Sequence, residues 1–410
     1  MRIAIPTRFA HSVGGVETYL EGVLPVLAAR GHAVKVWHEI NLPDGVRPLI
    51  GAGVQRQRLG SSAADVRSAL LDMRRWQPDV VFSQGIARPS AELEMMAIAP
   101  FVSVLHAYQG TCISGFKTHA FPTPSTCRQS LGPACLLQFH ARRCGGWSPV
   151  TMARDYVTQL EHREVLRRAN GIITLSGYMR DECIRQGVAS DRVECVGAFA
   201  PPLPPPSEKG DIQPARARRY HLAFAGRMER LKGAHLLLDA LHLVAPALLT
   251  SLEVTMVGDG IERGKCERLA TTLRRTGGVV HFPGWVTRDE WTRILQRVDL
   301  LVVPSVWPEP LGLIGLEAAS MGVPALAFNV GGIGDWLTDG ETGRLLEARP
   351  AADVLARGIE DCLSDRDRLQ RWGDTACQRA SRRTVNAHVE GIEAVLRTVQ
   401  QAVTVAGARS

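Results

Sequence analysis

One segment, PSVWPEPLGLIGLEAASMGVPALA over residues 304–327, places two carboxylates eight residues apart. Glu309 lies in a proline-flanked turn, and Glu317 falls in the first turns of a predicted helix. Carboxylates can accept hydrogen bonds from sugar hydroxyls, and acidic residues bind ribose diols in nucleotide-binding folds. The neighbours of Glu317 are small or apolar, so its charge needs a partner. The segment predicts a site for a polyhydroxylated, phosphate-bridged ligand; the alternative for Glu317 is a helix-surface ion pair.

Backbone amides follow the first of these carboxylates. Leu311, Gly312 and Leu313 connect the turn of Glu309 to the predicted helix. Glycine lets a ligand approach the backbone closely, and the first turn of a helix leaves its N–H groups available to an anion. We therefore expect these three amides to point into the cleft toward a ligand.

Two cations stand at another strand-to-helix turn. In FAGRMERLKGAHLLLDAL, residues 224–241, Arg227 and Lys232 lie beside Gly226 and Gly233. A helix N-terminus attracts phosphate, and two nearby cations can neutralise a diphosphate. Such turns also occur as plain tight connections, which is the alternative for this turn and for the glycines of MVGDG and SVGGVETYL.

Short apolar runs alternate with helical periodicity in both halves of the chain, which is typical of parallel sheets with crossover helices. Strands are predicted over 2–6, 33–38, 79–83, 101–105, 171–175 and 193–196, and again over 221–225, 252–257, 279–282, 299–303, 323–327 and 343–346. Helices are predicted over 15–30, 234–249, 262–276, 312–321 and 388–403. The pattern predicts an α/β protein of two doubly wound domains that face each other across a cleft, with ligands at the carboxyl ends of the strands.

A proline-rich segment sets the predicted domain boundary, because prolines interrupt helices and strands alike. A chain of 410 residues is also too long for one ordinary core. We predict an N-terminal domain over 1–200 with an insert over 107–147, a linker over 201–219, and a C-terminal domain over 220–385. A last helix within 386–410 is expected to pack back across the domain boundary.

Four of the nine cysteines fall together in the predicted insert. Cys112, Cys127, Cys135 and Cys144 have 14, 7 and 8 residues between them. A loop without an apolar core of its own needs a disulfide or a bound metal to stabilise it, and four cysteines can bind zinc. No Cys-x-x-Cys pair is present, so structural zinc, reduced thiols or a disulfide, and an iron–sulfur cluster all stay open.

The composition is that of a globular protein, with 45% hydrophobic and 22% charged residues. No apolar run reaches the roughly 20 residues of a membrane span, and the first residues lack the apolar core of a signal peptide, so we expect a cytoplasmic protein.

The net charge is +7, and residues 1–200 hold 22 Lys and Arg against 16 Asp and Glu. This basic half favours an anionic acceptor or peripheral contact with the inner face of an anionic membrane, unless its arginines are simply scattered and solvated. No basic stripe with interleaved aromatics indicates nucleic acid.

The segment PEPLGLIGLEAASMGVPALAFNVGGIGDWLTDGETGRLLE resembles the signature of retaining glycosyltransferases of family 4, which have the GT-B fold of two Rossmann-like domains. It carries the family's E-x7-E pattern, followed by G-x-P and G-G. AFAGRMERLKGAHLLLDAL resembles the donor-phosphate stretch, and MVGDGIERGKCERL, HFPGWVTRDEW and DLLVVPS follow in family order. GGVETYLEGVLPVLAARGHAVKVW is similar to the opening helix and second strand, so the resemblance covers residues 1–38 and 220–350.

The resemblance implies a phosphate-binding role for two groups of residues. Gly14 and Gly15, at the first predicted helix, and Gly226 would lie against the donor phosphates. Arg227 and Lys232 would neutralise the diphosphate leaving group.

It also implies how the sugar nucleotide is recognised. Glu309 would contact the donor sugar, Glu317 would bind the ribose, and the backbone at Trp285 and Val286 would contact the base. His106 follows the strand FVSVL, where relatives carry a histidine near the reacting sugar; alone, a histidine there is as well explained by a structural role.

Together these roles imply a hexosyltransferase that uses a nucleoside-diphosphate sugar, UDP being favoured over GDP, with retention of anomeric configuration. The acceptor would be a glycan, a lipid-linked glycan or another hydroxyl compound of polysaccharide or glycoconjugate biosynthesis. No Asp-x-Asp motif serves the diphosphate, so no cofactor is expected for catalysis, and the metal site left open is the structural one in the cysteine insert. The alternatives are a GT-B sugar-nucleotide epimerase or hydrolase, and a non-catalytic partner subunit.

Overall fold

The computed structural model describes residues 1–9, 14–40, 54–60, 62–200, 203, 219–347 and 349–407. The predicted linker over 201–219 lies almost entirely outside this described part. The chain groups into two compact units: the first is Met1–Pro122, Cys127–Pro201 and Thr384–Ser410, and the second is Thr123–Thr126 and Pro202–Arg383.

The first unit is built on a parallel sheet of seven strands. In chain order the strands of the N-terminal half of the chain are β1 Arg2–Phe9, β2 Ala33–Ile40, β3 Gln55–Arg58, β4 Val80–Ser83, β5 Phe101–Leu105, the short β6 Thr118–His119 and β7 Ser125–Thr126, β8 Gly171–Thr174 and β9 Val193–Cys195. The sheet order is β3-β2-β1-β4-β5-β8-β9. Its central strands β4, β5 and β8 are buried along their whole length, as expected for apolar strands covered on both faces.

Helices cover this sheet: α1 Gly15–Ala29, α2 Ala63–Trp76, α3 Pro89–Met95, α4 Ala134–Ala141, α5 Pro149–Arg168 and α6 Gly177–Arg185. The six predicted strands of this half are confirmed within a few residues. β3, QRQR, was not predicted because it has no apolar residue; it is an edge strand that pairs only with β2.

The second unit is a parallel sheet of six strands in the order β12-β11-β10-β13-β14-β15. The strands are β10 Tyr220–Ala225, β11 Leu252–Val257, β12 Val279–Gly284, β13 Leu300–Val303, β14 Ala325–Phe328 and β15 Gly343–Leu346. The helices are α7 Ala234–Leu241, α8 Pro246–Leu249, α9 Arg263–Arg275, α10 Arg288–Leu295, α11 Leu313–Ser320, α12 Ala352–Leu363 and α13 Arg366–Ser381. Both units are therefore doubly wound α/β structures, as predicted.

One predicted helix is wrong in its extent. The sequence pattern predicted a continuous helix over 234–249, whereas α7 ends at Leu241 and α8 begins at Pro246. Proline lacks the N–H that a helix interior requires, but it fits the first position of a new helix.

The last helix, α14 Val385–Gly407, belongs to the first unit and packs against α1, β4, β5 and β8. Val389, Ile392 and Leu396 are fully buried on its inner face. This spacing is the helical periodicity that the sequence shows. No helix among the described residues is both long and apolar enough to cross a membrane.

Candidate active site

In the second sheet, β11 and β12 lie on one side of β10, and β13, β14 and β15 lie on the other. The strand order therefore reverses between β10 and β13, the two central strands. In doubly wound sheets, ligands bind at such a switch point, outside the carboxyl ends of the strands. Arg227 and Lys232 follow β10, and Glu309 follows β13. The cations and the loop carboxylate, predicted from separate segments, thus leave neighbouring strands at the same edge of the sheet.

Lys232 and Glu309 form an ion pair although they lie 77 residues apart in the chain. The ammonium donates to Oε1 of Glu309 at 2.7 Å and to Oε2 at 2.8 Å. Ser305 Oγ donates to the same Oε1 at 2.8 Å, and the carboxylate is 4% exposed. The ammonium also lies 4.5 Å from the centre of the Trp307 ring. These contacts hold a positive and a negative group in fixed positions at the switch point.

Glycines let the backbone approach closely enough to make this pair. Gly233 has φ +72°, and a Cβ there would overlap the carbonyl oxygen of Pro304 at the end of β13. Gly331 has φ +64°, and a Cβ there would overlap the backbone of Glu309. The amide of Gly332 donates to the Glu309 carbonyl at 2.6 Å. The G-G element of the sequence therefore positions Glu309.

Glu317 lies in α11 and is 7% exposed. Its Oε1 accepts a hydrogen bond from Arg288 at 3.2 Å, and its Oε2 accepts one from Trp291 Nε1 at 3.0 Å. Burial raises the pKa of the carboxyl, while the charge of Arg288 opposes that rise. The charge of Glu317 therefore has partners within the protein, as in the ion-pair alternative although the carboxylate is buried, and sequence reasoning missed both residues. The capping box of Thr287 and Glu290 marks the start of α10, the helix that carries them.

The amides predicted to face a ligand lie at the start of α11. Gly312 is its N-cap with φ +89° and makes no side-chain capping hydrogen bond. Trp336 Nε1 donates to the carbonyl of Leu311 at 2.8 Å. A Cβ on Gly315 would overlap the Trp336 ring, so Trp336, which the sequence did not single out, fixes this helix start next to Leu313.

Arg227 takes a separate position from the ion pair at the switch point. Its side chain is exposed and donates to Glu229 at 3.0 Å. Gly226 precedes it with φ +151°, and its carbonyl would overlap a Cβ on Gly258 of the MVGDG turn. The two glycine turns thus pack against each other, and Arg227 is left at the surface.

Trp285 and Val286 follow β12 and precede α10. The Trp285 side chain is exposed, and Val286 is half-buried. The residues predicted to contact the base therefore lie in the connection that leads directly into Arg288, the partner of Glu317. The structure brings together the positions predicted for base and ribose.

His106 follows β5 in the first unit. Its Nε2 lies 2.9 Å from Oε1 of Gln84, whose amide nitrogen donates to the Phe82 carbonyl at 3.3 Å. With the amide oriented this way, the imidazole Nε2–H is the donor. Burial, followed by the charge of His388, lowers the pKa of His106 to about 3. The ring is therefore neutral at physiological pH.

Gly14 is the N-cap of α1, and Gly15 is the first residue of that helix. Both are exposed, and the four residues before them lie outside the described part of the chain. An exposed glycine pair at a helix N-terminus after β1 is compatible with the phosphate role that the sequence predicts.

The cysteine cluster, defined here as Cys112, Cys127, Cys135 and Cys144, lies in the first unit. All four are free thiols and line one cavity of about 20 Å³. A pocket of about 660 Å³ in the second unit, whose lining includes Arg344, Arg368 and Arg371, contains none of the predicted site residues. Those three arginines already pair with aspartates.

Two family models together match most of the chain. Residues 13–198 match the family model described as Glycosyltransferase Family 4, and residues 208–379 match the model for Glycosyl transferases group 1. The glycogen synthase of Mycobacterium tuberculosis is 28% identical over 341 residues, which are 81% of this chain and 68% of that protein. A D-inositol 3-phosphate glycosyltransferase of Streptomyces coelicolor is 33% identical over 192 residues, 43% of this chain and 42% of that protein.

Among solved structures, HepE of Anabaena in complex with UDP superposes with a TM-score of 0.68 at 19% identity, over 97% of this chain and 100% of that chain. The fold is therefore that of the GT-B glycosyltransferases. The chain belongs to glycosyltransferase family 4 and is a transferase of the EC 2.4 class, which confirms the resemblance found in its sequence.

Proposed function

We propose that the protein transfers a hexose-type sugar from a nucleoside-diphosphate sugar, UDP being favoured, to a hydroxyl group of a glycan or lipid-linked acceptor, with retention of configuration. The observation that carries this proposal is the ion pair between half-buried Lys232 and buried Glu309 at the switch point of the second sheet. An ammonium held there can stabilise negative charge on a departing diphosphate.

Each charged group at this edge then has one task. Lys232, the amides that start α11 and Arg227 stabilise the leaving diphosphate, the work that a metal ion does in enzymes with an Asp-x-Asp motif. Glu309 holds Lys232 and retains acceptor capacity for a sugar hydroxyl. Departure and attack on the same face, through an oxocarbenium-like state, give retention. An oxygen of the leaving phosphate accepts the proton of the acceptor hydroxyl.

Glu317 binds the ribose in this proposal. Each of its oxygens accepts one hydrogen bond within the protein, and a carboxylate has about four acceptor positions. The two remaining directions suit a vicinal diol. His106, neutral at physiological pH, acts by hydrogen bonding and not by carrying a proton.

UDP is favoured because of the structural relatives. HepE of Anabaena has been solved with UDP and with UDP-glucose. Those ligands belong to that protein, and at 19% identity the likeness itself concerns the fold; the donor of this chain is therefore part of the proposal.

The first test is thermal unfolding with UDP, GDP, ADP or dTDP, without added divalent metal. A nucleotide at a hundred times its dissociation constant adds about 2.7 kcal/mol to stability. We expect UDP to stabilise the wild type and to fail on Lys232→Ala combined with Glu317→Ala. Failure of every nucleotide on the wild type would favour a non-catalytic partner subunit.

Retention of the anomeric configuration is tested by identifying which anomer of the sugar is released. NMR of the sugar first released from UDP-glucose during slow hydrolysis should show the α-anomer, since the donor is α-linked. Initial release of the β-anomer would contradict retention. A sugar changed at C2 would instead indicate an epimerase.

We further propose that the first unit meets an anionic membrane through one exposed patch. Residues 95–154 contain one Lys and four Arg but no Asp or Glu. Six large apolar side chains in and next to this stretch are exposed: Phe116, Phe121, Leu137, Trp147, Val150 and Val157. Arginines attract anionic headgroups, and exposed aromatic and aliphatic side chains enter the interface.

The centre of this patch is continuous in space. The Arg143 guanidinium lies over the rings of Phe121, at 5.0 Å, and Trp147, at 5.6 Å. His140 stacks on Trp147. Leu137 is 83% exposed on α4, and Val150 is 79% exposed at the start of α5. Cations and apolar groups thus share one surface.

Sedimentation with vesicles tests this surface. We expect binding to phosphatidylglycerol vesicles, weak binding to phosphatidylcholine vesicles, and loss of binding in Leu137→Ser combined with Trp147→Ser. Leu243→Ser, an equally apolar exposed residue of the second unit, is the control that should bind normally. Equal binding to both lipids, or no effect of the double variant, would overturn the proposal.

A further inference from the structure

The cysteine cluster surrounds a cavity of about 20 Å³, whose lining also includes His119. A cavity needs roughly 10–15 Å³ to hold one water-sized body. The space between the thiols therefore has room for a single ion. It is too small for an iron–sulfur cluster with its several iron and sulfide atoms.

Different structural elements deliver the four thiols to this cavity. Cys112 lies in the connection after β5, Cys127 follows β7, Cys135 is in the first turn of α4, and Cys144 follows the end of that helix. All four residues nevertheless line the same small cavity.

The surrounding backbone suits sulfur atoms that become negative. The Lys117 amide donates to Cys112 Sγ at 3.4 Å. The Gln129 backbone also forms a hydrogen bond with Cys127. Hydrogen bonds from outside the ligand set orient and stabilise metal-bound groups. The stretch 95–154 also brings no acidic residue that would repel thiolates.

The insert has a small apolar core, which polar contacts of Lys117 and Leu131 with neighbouring helices supplement. Its buried apolar cluster consists of Ile113, Leu131 and Phe139, with Cys135 and Cys144 packed partly buried against it. So small a core rarely suffices without a disulfide or a metal. All four cysteines are reduced, so no disulfide performs this task.

We propose that the cysteine cluster binds one structural Zn²⁺ ion through its four thiolates. Among the described residues, no three His, Cys, Asp or Glu side chains already stand at the spacing of a metal-ligand set. Coordination therefore requires the cysteine side chains that line the cavity to rotate about χ1. Tetrahedral coordination by four cysteines at about 2.3 Å is the usual structural zinc site.

Metal analysis of protein purified without chelators tests the proposal. We expect one zinc per chain in the wild type, and less than half of that in Cys135→Ser and in Cys144→Ser. Cys195→Ser, an exposed cysteine on β9 outside the cluster, is the control that should keep its zinc. A wild type without zinc that takes up none when reduced would overturn the proposal.

Cobalt substitution keeps the test valid if a serine variant fails to fold. Wild-type protein reloaded with Co²⁺ should show the strong sulfur-to-cobalt charge-transfer bands of four thiolates. Loss of zinc in His119→Ala with weaker bands would replace one thiolate by His119 and overturn the four-thiolate assignment. Iron with sulfide in the wild type would do so as well.

Discussion

At the scale of single residues, the site depends on two buried carboxylates with different partners. Glu309 is held by Lys232 and Ser305, and Glu317 is held by Arg288 and Trp291. A buried charge that loses its partner is costly. These partners therefore fix the carboxylates before any ligand binds, and they make the two positions separable by mutation.

Lys232→Ala should weaken UDP binding by about 10- to 100-fold, since a hydrogen bond to a charged group contributes roughly 1.5–3 kcal/mol. Isothermal titration calorimetry measures this directly. Lys265→Ala removes a surface lysine of α9 and should bind UDP like the wild type. If both variants bind equally well, Lys232 does not contact the diphosphate.

The variant Glu317→Gln tests whether Glu317 binds the ribose diol of the nucleotide. The wild type should bind UDP at least about 10-fold more tightly than its 2′,3′-dideoxy analogue, because the analogue leaves a buried carboxylate without its diol. The variant should lose most of that preference, while its affinity for the analogue changes little. A preference that survives in Glu317→Gln would assign the ribose to another residue.

At the scale of elements, α14 is attached to the first unit by a polar contact as well as by its apolar face. Glu393 is buried and accepts from Arg30 Nε at 2.9 Å and from His32 Nε2 at 2.7 Å. Arg397 pairs with it at 3.1 Å. The hydrogen bond from Arg30 is the main reason that the pKa of Glu393 is lowered.

Glu393→Gln should therefore destabilise the protein by about 2–3 kcal/mol, because it leaves three basic groups around a neutral amide. Glu390→Gln is the matched control: Glu390 also pairs with Arg30 but is exposed, so its loss should cost less than about 0.5 kcal/mol. Urea unfolding at pH 7 compares the two. Since the pKa of Glu393 is lowered, this contribution is present above pH 4.5 and is lost as the pH falls.

At the scale of the whole molecule, the first unit buries several histidines in their neutral form. Burial is the main cause that lowers the pKa of His106 to about 3, and of His162 and His388 to about 4. Each of these histidines is protonated more readily in the unfolded chain. Each therefore lowers the stability of the folded protein as the pH falls below 6.5. Glu92 acts in the opposite direction, because burial raises its pKa to about 8.

The free energy of unfolding should therefore fall by roughly 3 kcal/mol between pH 7 and pH 5, the net of three histidines and one carboxyl at 1.36 kcal/mol per pKa unit. Urea unfolding followed over this range measures it. Glu92→Gln removes the opposing group and should make the decrease steeper. Stability that stays constant down to pH 5 would show that these histidines are not buried neutral.

The sequence by itself determined what depends on local pattern. Apolar runs predicted the bounds of twelve strands to within a few residues, because a buried parallel strand must be apolar along its length. The E-x7-E pattern, the glycine turns and the two cations sit where a strand passes into a helix, and these too are local features. Where the local signal was weak or misleading, the prediction failed, as at the polar edge strand β3 and at Pro246.

Only the tertiary structure decided which of these residues meet. The pairs Lys232–Glu309, Arg288–Glu317 and Arg30–Glu393 are separated by 77, 29 and 363 residues. Such contacts follow from strand order and helix packing, which local periodicity does not encode. The same holds for the cysteine cluster: spacing left zinc, thiols, a disulfide and an iron–sulfur centre open, and only the fold shows that the four cysteines line one small cavity.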